Sequence, residues 1–418
     1  MRNLARPEWS RALTTVGVTG TNGKTTTTRW TASCLARVAG PVAQVTTLGS
    51  FLDDAPFDAT ADPQGFLATM RAGLDRGGRF ASVEVTSEAL ARGFARSWPF
   101  TIGVFTNLTH DHLDAHGSPE HYLASKAQLF ATLPSNGAAV LNVADPASEL
   151  IAEVIVEGVR VVGYAVPSRG EPPLAPELQA TMVETSWEGT RITLEARGAL
   201  AHAPRQLKIR AVGEVYAENA LAALGAALVA GVPPDAAASA LAEAPTPRGR
   251  FEVVAAERGP RVVIDYAHTP DALARTAATA RGLCGGRLWI VFGAGGERDR
   301  AKRGPMGVAA SVADHVVLTS DNPRGEDALR IAEQIREGLA SRVNVRIELD
   351  RRAAILGALS DAGERDVVLI AGKGHECEQV IGARSLPFDD AVEARSALSY
   401  WPGSPPAEFD GFRARRAR

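Results

Sequence analysis

From residue 12 to about 143 the chain alternates short apolar runs with stretches of helical periodicity. The apolar runs Thr14–Val18, Val42–Thr46, Phe80–Val85, Ile102–Phe105 and Ala138–Val143 have strand length. Strands separated by helix-length segments predict βαβ units and a mostly parallel sheet. Between residues 160 and 212 the period shortens to two, as in TRITLEARG and RQLKIRAVG, which predicts an antiparallel appendage on the same domain. An Ala-rich helix over Val215–Gly231 and a second helix opened by Pro233 and Pro234 complete this half.

The segment APTPRGRFE, residues 244–252, has linker composition and predicts a boundary near Pro247, dividing 1–246 from 247–418. Beyond it the alternation restarts. Four apolar strands there run into polar turns: VVIDYAHTP, LWIVFGAGGERD, HVVLTSDNPR and VVLIAGKGHE. Ligands of open α/β sheets bind beyond the carboxyl ends of the strands, so these four turns predict one functional crest. The expected fold class is α/β: a P-loop ATPase-type domain with a mostly parallel sheet, followed by a Rossmann-like α/β domain.

Within the first apolar alternation, residues 17 to 28 read GVTGTNGKTTTT. A strand, a Gly-rich turn and a helix start in that order cradle phosphates. Glycines turn backbone N–H groups inward, the helix N-terminus adds partial positive charge, Lys24 adds a full one, and the Thr25 hydroxyl suits Mg²⁺. Val18 stands where the usual spacing has its first glycine, with Gly17 and Gly20 instead, so the loop is of a particular sub-type.

Composition changes this picture little. The chain has 418 residues, 45% hydrophobic and 22% charged, with a formal net charge of −3. That length favours two or three domains, and that charge argues against a nucleic-acid partner. Three scattered cysteines suit a reducing compartment and offer no metal-finger spacing. No apolar run approaches the ~18 residues of a membrane span, and the N-terminus has no signal-peptide pattern, so the expected setting is cytoplasmic. The basic end GFRARRAR reads as a solvated tail.

Chemistry concentrates in TNLTHDHLDAHGSPEHYLASKAQLF, residues 106–130, where four of the eight histidines fall between 110 and 121. This density predicts a metal and phosphate site facing Lys24 and including His112. Glu84, at the end of an apolar strand, needs a partner or a metal; with Thr25 it could supply one Mg²⁺. Lys126, taken alone, reads as an exposed helical lysine. On the second crest, Asp265 and His268, then Asp321, Asn322 and Arg324, then Lys373, His375 and Glu376 offer carboxylates for an ammonium and a guanidinium for a carboxylate, which suits an amino acid. Arg298 stands where a dinucleotide fingerprint after GAGG would need its third glycine, which argues against NAD.

With these residues in view, the chain resembles the Mur ligase family, the ATP-dependent amide-bond ligases of peptidoglycan synthesis, over roughly residues 12 to 395. The family's GTNGKT loop matches Gly20, Thr21, Asn22, Gly23, Lys24 and Thr25, followed by Thr26. Its acidic metal ligand matches Glu84, its N-x-x-x-D-H-x-D segment matches Asn107 to Asp114, and its helical lysine matches Lys126. In relatives that lysine is carbamylated and helps to hold a second Mg²⁺, which replaces the reading of Lys126 as a plain surface residue. The resemblance implies ATP contacts at Asn219, Arg250 and Asp265. It implies metal contacts at Thr25, Glu84, His112 and Lys126, and direct roles in the reaction for Lys24, His112 and Lys126.

DNPR and GKGHE are similar to the branch that adds meso-diaminopimelate to UDP-N-acetylmuramoyl-dipeptide. Asp321, Asn322, Arg324, Gly372 and Glu376 would then hold the incoming amino acid, with Arg298 and Arg303 as further contacts. Two departures touch the acceptor half. The phosphate loop begins at residue 17, so the branch's N-terminal UDP-binding domain is expected to be absent. Thr86-Ser87-Glu88 replaces the branch's S-S-H, adding negative charge.

The implied reaction passes the γ-phosphoryl of ATP to an acceptor carboxylate; the amine of an amino acid then attacks the acyl phosphate. The preferred expectation is a smaller or different acceptor. One alternative is UDP-N-acetylmuramoyl-dipeptide itself, and another is a non-catalytic ATP-binding partner subunit. The expected partners are small-molecule substrates, with no nucleic acid and no membrane. Oligomeric state is not expressed in the sequence.

Overall fold

A computed structural model describes residues 6–109, 118–166, 172–254, 258–399 and 401. The chain forms two compact units, Met1–Pro247 and Arg248–Arg418.

In the first unit the described strands are β1 (Thr14–Thr19), β2 (Ala43–Thr46), β3 (Gly49–Leu52), β4 (Ala55–Phe57), β5 (Phe80–Glu84), β6 (Ile102–Phe105), β7 (Ala138–Asn142), β8 (Arg160–Ala165), β9 (Leu178–Ser186), β10 (Gly189–Ala196) and β11 (Gln206–Ile209). They form one sheet of order β11-β10-β9-β8-β7-β6-β1-β5-β2-β3-β4. Every neighbouring pair from β9 through β2 is parallel. The antiparallel part is confined to β9-β10-β11 at one edge and β2-β3-β4 at the other. The alternating region therefore extends the same sheet, and β8, its first strand, still runs parallel to β7. The short strands β3 and β4 lack a sequence signal of their own: each is at most four residues long and only Leu52 among them is buried.

The order of the central strands sets the position of the phosphate loop. β1 lies between β5 and β6, so the chain departs to opposite sides of β1 before and after β5. That is a switch point, where a parallel sheet opens a crevice at its carboxyl edge. The register aligns Val18 with Glu84 and Thr19 with Phe105. The loop after β1 is thus flanked by the ends of β5 and β6.

Beneath the sheet, Phe66, Phe94, Trp98 and Phe100 pack edge to face, with ring centres 4.9–5.8 Å apart. Burying each such side chain contributes roughly 1.5–3 kcal/mol.

The second unit holds β12 (Glu252–Val254), β13 (Arg261–Asp265), β14 (Leu288–Phe292), β15 (His315–Leu318), β16 (Asn344–Ile347) and β17 (Val367–Ala371), in the order β12-β13-β17-β14-β15-β16. All pairs but β12–β13 are parallel. The ends of β13, β17, β14 and β15 therefore lie along one edge, and the polar turns foreseen in the sequence follow them. A hairpin of β18 (Glu378–Ile381) and β19 (Arg384–Pro387) follows β17. Among the described residues no helix is long and apolar enough to cross a membrane.

Candidate active site

Gly20 and Gly23 have φ of +151° and +83°, the region open to glycine. A Cβ on Gly20 would lie 1.9 Å from Thr106 Oγ1, and one on Gly23 2.2 Å from Asn219 Oδ1. Both glycines are thus required by close approach as well as by φ. The loop hangs on the residues after β6: Thr21 N–H donates to the Asn107 carbonyl, and Asn22 N–H to Asn107 Oδ1 at 2.9 Å. Asn219, on the helix Glu214–Val229, is buried against the opposite side of the loop, where its Oδ1 accepts from Thr27 Oγ1.

The helix Lys24–Leu35 starts from Gly23 with no side-chain cap, so its first turn presents backbone N–H groups to the loop. Lys24 Nζ donates to the carbonyls of Gly20 and Thr21, at 3.1 and 2.7 Å. Lys126 Nζ donates to the same Gly20 carbonyl at 2.7 Å and sits 4.2 Å from the Tyr122 ring centre. Two lysines thus converge on one peptide oxygen of the phosphate loop.

Lys126 is 1% exposed, which overturns the reading of a surface lysine. It lies on the helix Pro119–Ala131, opened by Ser118, whose hydroxyl accepts from His121 N–H. Buried Tyr122, Lys126, Leu129 and Phe130 form one stripe of that helix.

Thr25 Oγ1 donates to Glu84 Oε2 at 2.8 Å, and Thr47 donates to the same oxygen through its N–H and its hydroxyl. Thr26 is buried in the same first turn. Glu88 is exposed on the short helix Ser87–Ala91 that follows β5. His112 lies outside the described residues, as do its neighbours from 110 to 117.

In the second unit, buried Asp265 ends β13. Its carboxylate accepts from the N–H groups of Phe251 and Ala267 and from the Thr276 hydroxyl. Burial pushes its pKa up, against the pull of Arg250 and the Phe251 N–H. Arg250 lies over the Tyr266 ring at 4.5 Å. The Asp265 side chain thus anchors the RFE segment to its strand end and holds Phe251 at φ +44°.

Asn322, Lys373 and Glu376 form one cluster. Lys373 Nζ donates to Asn322 Oδ1 at 3.1 Å and to Glu376 Oε2 at 3.0 Å, and Asn322 Nδ2 donates to the same Glu376 oxygen at 2.9 Å. Lys373 is wholly buried while Glu376 is half-exposed. Asp321 meets Gly372 so closely that a Cβ there would lie 2.5 Å from Asp321 Oδ2. Arg324 stands beside them at φ +51°, its guanidinium donating to the Gly296 carbonyl at 2.8 Å.

The two remaining arginines differ. Arg298 is exposed. Arg303 is 1% exposed and holds both Glu326 oxygens at 3.1 Å together with Gln334. The Arg303 hydrogen bonds, with the Glu297 N–H, pull the Glu326 carboxyl down to about 2.

The sequence placed Asn107 and Lys373 within its motifs but gave neither a contact of its own. Thr47 carries no signal, because only the sheet order sets it beside Glu84.

A phosphate loop at a switch point, flanked by a strand-end carboxylate, marks a nucleotide-dependent enzyme. The chain belongs to the Mur ligase family: the Mur ligase middle domain matches residues 18–227 and the Mur ligase, glutamate ligase domain matches residues 249–374. It is an ATP-dependent, ADP-forming carboxylate–amine ligase.

UDP-N-acetylmuramoyl-L-alanyl-D-glutamate--2,6-diaminopimelate ligase of Ralstonia nicotianae is 41% identical over 400 residues, 93% of this chain and 76% of that one. The enzyme of the same name from Thermosynechococcus vestitus is 40% identical over 403 residues, 93% of this chain and 77% of that one. The chain thus spans about three quarters of the length of these curated relatives. A solved structure with that enzyme name aligns with TM-score 0.64 and 32% identity, over 95% of this chain and 79% of the other. Mycobacterium tuberculosis folylpolyglutamate synthase, solved with ADP and AMPPCP, shares the fold at TM-score 0.69 and 20% identity, over 93% and 92% of the two chains.

Proposed function

We propose that this ligase joins a diamino acid of the diaminopimelate type to the terminal carboxylate of a UDP-N-acetylmuramoyl-dipeptide, residues 1–246 handling ATP and 247–418 the amino acid. The observation that carries the amino-acid class is the Asn322–Lys373–Glu376 cluster beside Asp321 and Arg324. Carboxylates there suit the ammonium of the far end of a diamino acid, and the Arg324 guanidinium suits its carboxylate. The acceptor is taken from the names of relatives about 40% identical across nearly the whole chain.

On the first unit, the Gly20–Thr26 backbone and Lys24 would hold the ATP phosphates. The acceptor carboxylate attacks the γ-phosphorus and ADP leaves. The free amine then attacks the acyl carbon, phosphate leaves and the amine gives up a proton. Charge built up on the phosphates is met by Lys24 and the helix N-terminus, the largest kind of catalytic contribution in such transfers. The Thr25 hydroxyl and Glu84 carboxylate are hard oxygen donors at the loop, and that donor set fits Mg²⁺, which keeps waters and phosphate oxygens as its other ligands. When bound, Mg²⁺ would neutralise phosphate charge. Lys126, as a carbamate, would add a second anionic oxygen donor, and the family resemblance adds His112 to the same metal set. Asn219 would serve the nucleotide from the other side of the phosphate loop; on the second unit, Asp265 holds the RFE segment that carries Arg250.

A second reading, with a smaller acceptor, rests on exposed Glu88, four residues beyond Glu84, whose charge would oppose an acidic acceptor.

The test is ADP release with a panel of amino acids and acceptors. Diaminopimelate should stimulate release with the UDP-linked dipeptide; no effect of diaminopimelate or lysine on any acceptor would overturn the amino-acid assignment. Lys24→Ala should abolish turnover, and full ADP formation by that variant would overturn the role of the loop.

A further inference from the structure

Strands β15 and β17 do not pair; β14 runs between them. Yet the loops that follow them, with Asp321 and Asn322 on one and Gly372 and Glu376 on the other, meet over the end of β14. Two glycines make the approach possible. A Cβ on Gly293, just past β14, would lie 2.1 Å from the Thr319 carbonyl oxygen, and one on Gly372 2.5 Å from Asp321 Oδ2. Backbone hydrogen bonds join the far ends of the two segments, Arg324 N–H to the Val380 carbonyl and Gly382 N–H to the Arg324 carbonyl, but Ser320 and Ala371, at the ends of the two strands, have no ladder bond to each other.

Arg351 bridges that gap. It begins the helix Arg351–Asp361 and is 1% exposed. Its Nε and Nη2 donate to the two oxygens of Asp390 at 2.7 and 2.8 Å, a bidentate pair in which both side chains are fully buried. Asp390 begins the helix Asp390–Ser399, where the N-terminal dipole favours a carboxylate. The rest of the guanidinium reaches across β14. Nη1 donates to the Ser320 carbonyl at 3.3 Å and Nη2 to the Ala371 carbonyl at 3.0 Å. These are the residues immediately before Asp321 and Gly372. Gln379 supports the same point by donating to the carbonyls of Ser320 and Asp321.

A buried ion pair is a poor device for stability alone, since apolar residues of similar volume often do as well or better. What apolar residues cannot supply is a rigid fork that holds one carboxylate and two carbonyls at fixed directions. We infer that Arg351, oriented by Asp390, is a positioning residue that sets the DNPR and GKGHE loops in register and so assembles the amino-acid subsite.

This rests on the reading of those loops as the amino-acid site, and the experiment separates the two. The double variant Arg351→Met, Asp390→Leu removes the fork together with its ion-pair partner. It should melt close to the parent, with the KM for the amino acid raised roughly ten- to hundred-fold, as small misplacements of substrate-holding groups produce. Its KM for ATP and its kcat at saturating amino acid should stay near the parental values. A well-folded double variant with parental amino-acid KM overturns the inference, as does an equal fall in kcat with KM unmoved.

If the double variant does not fold, Arg351→Lys decides, because it keeps a charge against Asp390 and loses the fork. A raised amino-acid KM supports the inference, and a parental KM overturns it. If diaminopimelate fails to support turnover in the parent, the substrate assignment falls alone. The same comparison is then made with whichever amino acid does support it.

Discussion

The hydroxyl of Thr25 and the carboxylate of Glu84 meet at 2.8 Å, joining the first helical turn after the phosphate loop to the end of a strand 59 residues later. Two hard oxygen donors are thereby presented side by side at the switch point of a parallel sheet. Removing either donor should act on metal use more than on folding, because Glu84 is only half-buried and keeps Thr47 as a partner. For Glu84→Gln the Mg²⁺ needed for half-maximal rate should rise roughly 10–100-fold, the loss typical of a disturbed metal site. Magnesium titration of ADP release, beside thermal melting of the same variant, checks this.

Lys126 sits 2.7 Å from the Gly20 carbonyl in a buried position. Intact-mass measurement of the protein kept under bicarbonate should show the added mass of one CO₂, lost in Lys126→Ala. That variant should be nearly inactive and partly restored by chloride or small carboxylates. An unrescued rate equal to that of the parent would remove the carbamate from the mechanism.

Gly23 has φ +83°, and a methyl carbon added to it would lie 2.2 Å from Asn219 Oδ1. Gly23→Ala should cost about 1–3 kcal/mol from backbone strain and push Asn219 away from the loop. Both changes fall on the nucleotide side. Nucleotide affinity, read by calorimetry with ADP, should therefore drop more than tenfold, a factor that corresponds to about 1.4 kcal/mol.

Glu326 has its carboxyl pulled from an ordinary 4.5 down to about 2, first by the Arg303 hydrogen bonds and then by the Glu297 N–H. A depressed carboxyl stabilises the folded state above its unfolded value and loses that contribution as pH falls toward the folded one. The second unit should therefore lose stability between about pH 4.5 and 2 through this group. In Glu326→Gln that part of the pH dependence should vanish, which melting curves across the window would reveal.

Much of the site was legible because its signals are local. The Gly20–Thr25 loop needs glycine at fixed positions, and the apolar β-branched runs before the polar turns announce strands whose ends face one way. Other features had no local signal. Lys126 looks like any helical lysine until the stripe of Tyr122, Leu129 and Phe130 turns it inward. Thr47 meets Glu84 only because β2 lies beside β5. Arg351 and Asp390, 39 residues apart, read as ordinary charged helix starts.

The order of residues along the chain determined the fold class, the phosphate loop and the polar turns that carry the second crest, since propensity, periodicity and glycine placement act over a few neighbours. Tertiary structure alone decided which of those turns touch. Strand order brought Glu84 to Thr25, a helix face buried Lys126 against Gly20, and a buried guanidinium joined Ser320 to Ala371 across a strand that lies between them. Such contacts depend on distances set by packing across the sheet, which no spacing in the sequence encodes.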